Sequence, residues 1–346
     1  MKITHILWGL TSGGIETMLV NIINHQVKEH DVELMLVNDY YDSSLLAQLS
    51  DKCRLVRCKR KVGSRNPIPI LKLNRHLLCS RPDIVHLHST GLSRIIFVPC
   101  TMVRTIHNTN NPCGEYRKMR QLFSISKAVK SYTKSQGFES ELVENGIPVG
   151  AFSQKDQPWE PNHPLHIVQI GRLDVRQKGQ HVLISSMEKL VKDYQATNLF
   201  VHFIGAGDDE QMLRQLVKDK GLEKYIIFEG VKPQDYLKGH LKDFDLLVQP
   251  SLYEGFGLTV AEALAAKVPV LVSDIEGPME IIDDGKYGMA FHCNDADDLA
   301  SSIRHILLHG YPQSMVEEAR DMVCEKYDIT HTAEKYLQAY QEILSN

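Results

Sequence analysis

Glu254 and Glu262 stand on either side of seven residues that begin Gly255-Phe256-Gly257. Ionised carboxylates accept hydrogen bonds from hydroxyl groups, and a glycine turn that opens a helix aims backbone N–H groups at an anion. The run before it, Asp245-Leu-Leu-Val-Gln-Pro250, is short, apolar and stopped by proline, so it reads as a buried parallel strand. Strand, turn and helix in that order present the amides of Phe256, Gly257, Leu258 and Thr259 to a phosphate, and Gly255 and Gly257 let the main chain come close. Glu254 falls at the mouth of the turn and Glu262 in the first turns of the helix, one on each side of the bound phosphate. A phosphate flanked by two polyols describes a nucleotide sugar.

Arg172 and Lys178 follow the end of a second apolar run, His166-Ile-Val-Gln-Ile170, where open α/β sheets bind ligands. Two cations there would stabilise a diphosphate as bond breaking loads negative charge onto it. Paired carboxylates near a sugar also suit a glycosidase, but the adjoining phosphate turn and the two cations favour a charged leaving group. Gly13-Gly14 follows the first apolar run, with Glu16 and Thr17 opening the next helix. His86 and His88 alternate on a buried strand and are read as core or wall histidines. A metal site built from them and His107 would have two-residue strand spacing and no carboxylate nearby, which suits a metal poorly. Asp243-Phe-Asp245 and Asp295-Ala-Asp297 lead into a strand and a helix and are read as structural, so no metal dependence is expected.

These strings, in order along the chain, resemble retaining glycosyltransferases of family 4. The resemblance rests on the paired glutamates, on Ile170-Gly-Arg-Leu173 with Gln177-Lys-Gly179, and on Phe203-Ile-Gly-Ala-Gly207, Val143-Glu-Asn-Gly-Ile-Pro148, Ser124-Ile-Ser-Lys127 and Gly13-Gly-Ile-Glu16. It runs from about Gly9 to Tyr340. The resemblance implies an α/β protein of the GT-B type, two Rossmann-like doubly wound parallel-sheet domains facing a cleft. It implies that Arg172 and Lys178 contact the donor diphosphate after Gly171, that Glu262 binds the ribose, and that Glu254 and His107 lie near the sugar. It also implies base contacts at Gly205 and Val231-Lys232, and a leaving phosphate that takes the acceptor's proton on the same face, so the anomeric configuration is retained. No cofactor is implied. Only 18 residues separate His107 from Ser126, short for the family, so no acceptor contacts are carried over.

The elements that must position these residues follow from pattern and length. The 346 residues suit two domains. Strands are expected at 3–8, 32–37, 84–88, 102–106, 166–170, 199–204, 226–228, 245–249 and 269–272, and helices near 14–28, 44–50, 179–193, 208–219, 257–266, 296–309 and 331–344. The proline-rich segment at 157–164 reads as a linker. The expected division is thus an acceptor domain at 1–158, a nucleotide-sugar domain at 162–330, and a terminal helix at 331–346 crossing back onto the first domain.

Charge divides the same way. Residues 1–155 carry 21 Lys and Arg against 12 Asp and Glu, a net +9, while residues 156–346 carry 18 against 31, a net −13. A basic half on a chain of net charge −4 points to an anionic surface or ligand. Aromatics are not interleaved with the basic clusters, which argues against nucleic acid. Seven cysteines without a Cys-x-x-Cys pair are read as reduced thiols, and the opening Met-Lys-Ile-Thr-His-Ile-Leu-Trp as a first strand rather than a leader. The expectation is a cytosolic enzyme at the inner membrane face. It would move a sugar from a UDP-sugar, preferred on family frequency, to a lipid-linked or oligosaccharide acceptor in capsule, O-antigen or exopolysaccharide assembly. The rival readings are a sugar-nucleotide epimerase or phosphorylase-like enzyme of the same fold, and a non-catalytic binding subunit.

Overall fold

The computed structural model describes residues 1–11, 13–109, 113–161 and 163–345. They divide into two units, Met1–Ile147 with Asp328–Asn346, and Pro148–Tyr327. Asn162, in the segment read as a linker, lies outside the described residues. Trp159 of that segment packs against the core of the second unit and donates its indole N–H to the carbonyls of His163 and Pro164.

Among the described residues the first unit contains β1 (Lys2–Leu7), β2 (Asp31–Asn38), β3 (Arg54–Arg60), β4 (Ile84–Leu87), β5 (Met102–Ile106), β6 (Gln121–Ser124) and β7 (Glu141–Leu142). All pair in parallel, in the order β3-β2-β1-β4-β5-β6-β7. β1, β2 and β4 are buried almost throughout, as a sheet covered on both faces requires. The Ile329–Ser345 helix returns to this sheet. Its Tyr336 and Tyr340 are buried beside Phe123, and their hydroxyls meet Thr105 Oγ1 and His86 Nδ1.

The second unit repeats the scheme with β8 (Leu165–Ile170), β9 (Leu199–Ile204), β10 (Ile226–Gly230), β11 (Leu246–Gln249), β12 (Val270–Ser273) and β13 (Met289–Phe291), ordered β10-β9-β8-β11-β12-β13. Each sheet is therefore a doubly wound Rossmann-like sheet whose strand order reverses once, between β1 and β4 and between β8 and β11. Ligands of such sheets bind at the carboxyl ends of the strands beside that reversal. At β8 and β11 those ends lead into Gly171-Arg172 and into Ser251–Gly257. Among the described residues no helix is long and apolar enough to cross a membrane.

The expected elements are present, most with ends shifted by a residue or two. The structure adds β3, β6, β7 and β13 and helices including Ile68–Ser80, Lys127–Ser135, Glu276–Ile281 and Gln313–Lys326. β3, Arg-Leu-Val-Arg-Cys-Lys-Arg, is an edge strand, and its cations mask the apolar alternation. β6, β7 and β13 have four, two and three residues, too short to show a period.

Candidate active site

At the C-terminal end of β8 the chain turns through Gly171 and Arg172 into a single helical turn, Val175–Lys178, capped by the Asp174 side chain. At the end of β11, Pro250 leads through Glu254 to Gly257, the N-cap of the Leu258–Ala265 helix. The two segments are tied together where Leu252 N–H donates to the Gln177 carbonyl at 2.8 Å. This brings the Lys178 ammonium into an ion pair with Glu254 Oε2, and both side chains are largely shielded from water.

Glu254 has a second partner that the sequence reading missed. Gln249, buried at the end of β11, donates from Nε2 to Glu254 Oε2 at 3.3 Å and to Ser251 Oγ at 3.0 Å, and accepts from Thr259 Oγ1 at 3.2 Å. A glutamine inside an otherwise apolar strand was the available signal, since a buried amide must find partners. Gly277 was also missed. The Glu276–Ile281 helix passes so close to this turn that a Cβ at Gly277 would lie 2.6 Å from the Glu254 carbonyl oxygen. Phe256 anchors the turn by packing its ring edge-on against Tyr327 at 5.4 Å. No side chain caps the Leu258–Ala265 helix, so its first amides and the positive end of its dipole are available to an anion.

Of the two expected cations, Lys178 is held and Arg172 is not. The Arg172 guanidinium is largely exposed and reaches Gln177 Oε1 at 3.2 Å and Asp174 at 4.0 Å. Its position is set through the backbone, because Gln180 Nε2 donates to the Arg172 carbonyl at 2.9 Å. Gly205 closes β9, with its amide bonded to the Gly230 carbonyl at 2.9 Å. Val231, just beyond β10, is exposed, and Lys232 pairs with Glu229 at 3.2 Å.

Glu262 lies on the buried side of its helix, in a different environment from Glu254. Gln234 Nε2 donates to its Oε1 at 2.8 Å. Burial raises its pKa to about 7, against the smaller opposing effects of the Gln234 hydrogen bond and Lys238. The folded state therefore favours the protonated acid. That contribution is complete below the unfolded pKa near 4.5 and is lost as pH rises through about 7. Glu262→Gln should gain stability over the wild type between pH 5 and pH 8 by an amount on the order of 3 kcal/mol. Melting curves of both proteins at the two pH values check this.

Gly13, Gly14 and His107 belong to the first unit. Gly13 is the N-cap of the Gly14–Gln26 helix, where no side chain caps. Glu16 accepts from Thr11 Oγ1 at 2.9 Å; the neighbouring Ser12 lies outside the described residues. His107, just past β5, is buried, and neither ring nitrogen has a hydrogen-bond partner among the described residues. Burial, with Arg104 adding to it, lowers its pKa to about 3, so the ring is neutral and offers one donor and one acceptor. Its ring lies 5.9 Å from that of His88.

His88 in turn meets His5 Nδ1 at 3.0 Å, and His5 Nε2 meets Gln26 at 2.8 Å. His86 is held by Tyr340 on one nitrogen and Thr105 on the other. His5, His86 and His88 are close enough to share a cation, but both ring nitrogens of His5 and of His86 already carry protein hydrogen bonds that a cation would have to break. The two Asp-x-Asp strings have structural partners: Asp295 caps the Ala296–His309 helix, and Asp245 binds Lys155 at 2.8 Å and the His166 amide at 2.8 Å.

Residues 152–322 match the family described as glycosyl transferases group 1, and residues 12–150 match glycosyltransferase family 4. An uncharacterized glycosyltransferase of Methanocaldococcus jannaschii is 28% identical over 285 residues, covering 76% of this chain and 70% of that protein. The poly(ribitol-phosphate) alpha-N-acetylglucosaminyltransferase of Staphylococcus aureus is 28% identical over 226 residues, covering 64% of this chain and 40% of that one. A phosphatidyl-myo-inositol mannosyltransferase of Mycobacterium leprae is 24% identical over 294 residues, with 80% and 77% covered. Among solved structures, an Anabaena protein in complex with UDP and glucose has a TM-score of 0.83 at 17% identity, with 99% of each chain covered. A lipopolysaccharide outer core galactosyltransferase in its apo form has a TM-score of 0.75 at 19% identity, also with 99% of each chain covered.

Proposed function

Because this chain belongs to the glycosyltransferases of family 4, with the GT-B fold, we propose that it transfers a glycosyl group from a nucleotide diphosphate sugar to an acceptor hydroxyl with retention of configuration. The observation that carries this reading is the Lys178–Glu254 pair at the carboxyl ends of β8 and β11, beside a helix start that no side chain caps. A donor diphosphate at the helix amides would meet the Lys178 ammonium, and Arg172 would close on it from solvent. Glu254 would hold hydroxyls of the transferred sugar and Glu262 those of the ribose. Donor binding is thus assigned to the second unit and acceptor binding to the first.

In the reaction the bond between the anomeric carbon and the β-phosphate oxygen breaks and the nucleoside diphosphate leaves. The acceptor oxygen forms the new bond on the same face, and its proton passes to the departing phosphate. Lys178, Arg172 and the helix amides stabilise the charge that builds on that phosphate, and act more strongly on the transition state than on the ground state. No step needs a metal, because these groups take the part of a Lewis acid. His107, neutral, serves as a hydrogen-bonding group rather than as an acid.

UDP-sugars are the favoured donors, and the Anabaena neighbour solved with UDP and glucose is in keeping with that choice. The phosphatidyl-myo-inositol, poly(ribitol-phosphate) and lipopolysaccharide transferases among the similar proteins support an acceptor that is lipid-linked or part of a bacterial surface polysaccharide. The net +9 of residues 1–155 suits a peripheral position on the anionic inner face of the cell membrane.

Thermal-shift screening of UDP-, GDP- and ADP-sugars in excess chelator tests the donor site. One class should raise the melting temperature, because a ligand that binds only the folded form stabilises it. The anomeric configuration of the product, read by NMR, tests retention. Inversion, or no shift with any nucleotide sugar, overturns the reading.

A further inference from the structure

The Ile68–Ser80 helix of the first unit has an outer face that its own core does not use. Pro69, Leu73, Asn74 and Leu77 point inward, with Leu73 and Leu77 packed against Met35, Val37 and Cys58. The exposed positions are Ile68, Leu71, Lys72, Arg75, Leu78 and Cys79, a single stripe at helical spacing. A solvated helix face is normally polar, yet Ile68, Leu71 and Leu78 on this one are each more than half exposed. Two further side chains extend the apolar surface. Phe97 is brought alongside where its amide donates to Asn74 Oδ1 at 2.7 Å, and Val62 stands on the turn that leads into the helix, where Ser64 N–H bonds the Lys61 carbonyl. The exposures of these five run from 57 to 71%.

The same stretch is uniformly basic. Residues 52–82 contain ten Lys and Arg and no Asp or Glu. Arg54 is neutralised by Glu33. Lys59, Lys61, Arg65, Lys72 and Arg75 have no carboxylate partner among the described residues, and each is exposed. Apolar tips set among cations that no carboxylate neutralises match one kind of surface, in which acyl chains lie just beneath anionic headgroups. Nucleic acid would satisfy the cations and leave the apolar side chains in water.

We propose that this face docks the protein onto anionic lipid, with Ile68, Leu71, Leu78, Phe97 and Val62 entering the headgroup layer and Lys59, Lys61, Arg65, Lys72 and Arg75 lying against the phosphates. The reading of the acceptor as lipid-linked explains why such a face would exist. The docking itself needs no sugar chemistry and is tested apart from it.

The test is co-sedimentation of the full chain, without donor, on vesicles of phosphatidylglycerol and phosphatidylcholine, and on phosphatidylcholine alone, at 50 and 300 mM salt. Binding should need the anionic lipid and should weaken with salt, as screening of exposed charges requires. Leu71→Glu/Leu78→Glu and Lys72→Glu/Arg75→Glu should each weaken it by at least roughly tenfold, since one cation at such a surface is worth about fivefold. Both replace exposed side chains, so melting temperatures should stay within a few degrees. Lys130→Glu/Lys134→Glu, an equal charge reversal on the Lys127–Ser135 helix, should change binding far less. Equal loss in all three variants would mean diffuse attraction to the basic half and would overturn the assignment. So would wild-type binding that the Ile68–Ser80 variants leave intact, or a face that captures an acidic protein while ignoring vesicles. Transfer to a water-soluble acceptor should be unchanged in the docking variants; lost vesicle binding with intact transfer separates this proposal from the enzymatic one.

Discussion

Lys178→Ala should lower kcat by roughly 100- to 1,000-fold, the range seen when one preorganised group that stabilises developing charge is removed. Lys178 is held by Glu254, with both side chains largely shielded from water, and by its position at the end of a capped helical turn. Fixed charge acts on a transition state without reorganising, whereas the exposed Arg172 must be brought to its ligand. Arg172→Ala should therefore cost less in kcat and more in KM. Removing Lys178 also strips Glu254 of its counter-ion, leaving Gln249 as its neighbour. The loss of stability should be modest, about 1–3 kcal/mol, because the pair is only partly buried. Glu254→Gln should impair transfer too. The double variant should be less damaged than the product of the single effects, since both substitutions break one unit. Steady-state kinetics of the three variants decides this. A kcat within about threefold of wild type for Lys178→Ala would remove the residue from the proposed mechanism.

Gly179→Ala should be strongly destabilising. Gly179 has φ of +64°, and a Cβ there would lie 1.9 Å from the Pro250 carbonyl oxygen, a backbone atom that cannot swing away. The left-handed backbone alone costs an alanine roughly 1–2 kcal/mol, and forcing β8's following turn away from β11 adds about 1–3 kcal/mol. The melting transition should fall by about 10 °C, at roughly 2–4 °C per kcal/mol for a unit of this size. Gly221 separates the two contributions. Its φ is +70°, but nothing lies within 4 Å of a Cβ there, so Gly221→Ala carries the backbone cost alone. Equal effects of the two substitutions in calorimetry would show that the contact with Pro250 is not what holds the turn. The same contact explains function: Gly179 follows Lys178, and Pro250 begins the segment that carries Glu254, so a displaced turn separates the ion pair.

The amino-acid sequence by itself determined what is local. The alternation of short apolar strands and amphipathic helices, the glycine turn before Leu258–Ala265, and the presence of Glu254, Glu262, Arg172 and Lys178 beside strand ends all lie within windows of about a dozen residues. Periodicity and turn chemistry are legible at that range. Edge strand β3 and the short β6, β7 and β13 were not, because charge or brevity erased their pattern.

What only the tertiary structure decided is long-range. Lys178 and Glu254 are 76 residues apart, and Gln234 and Glu262 are 28 apart. Strand order and helix packing bring them together, and no local window encodes either. That packing separates the two glutamates chemically, one held against a cation and the other buried until its carboxyl titrates near pH 7. The histidines followed the same rule: the sequence showed His86 and His88 alternating on one strand with His107 beyond the next, and the fold placed His5 among them and bound His86 to Tyr340 from far along the chain. Residue type sets which interactions a side chain can make. Burial and neighbours, which only the folded chain supplies, decide which of them it does make.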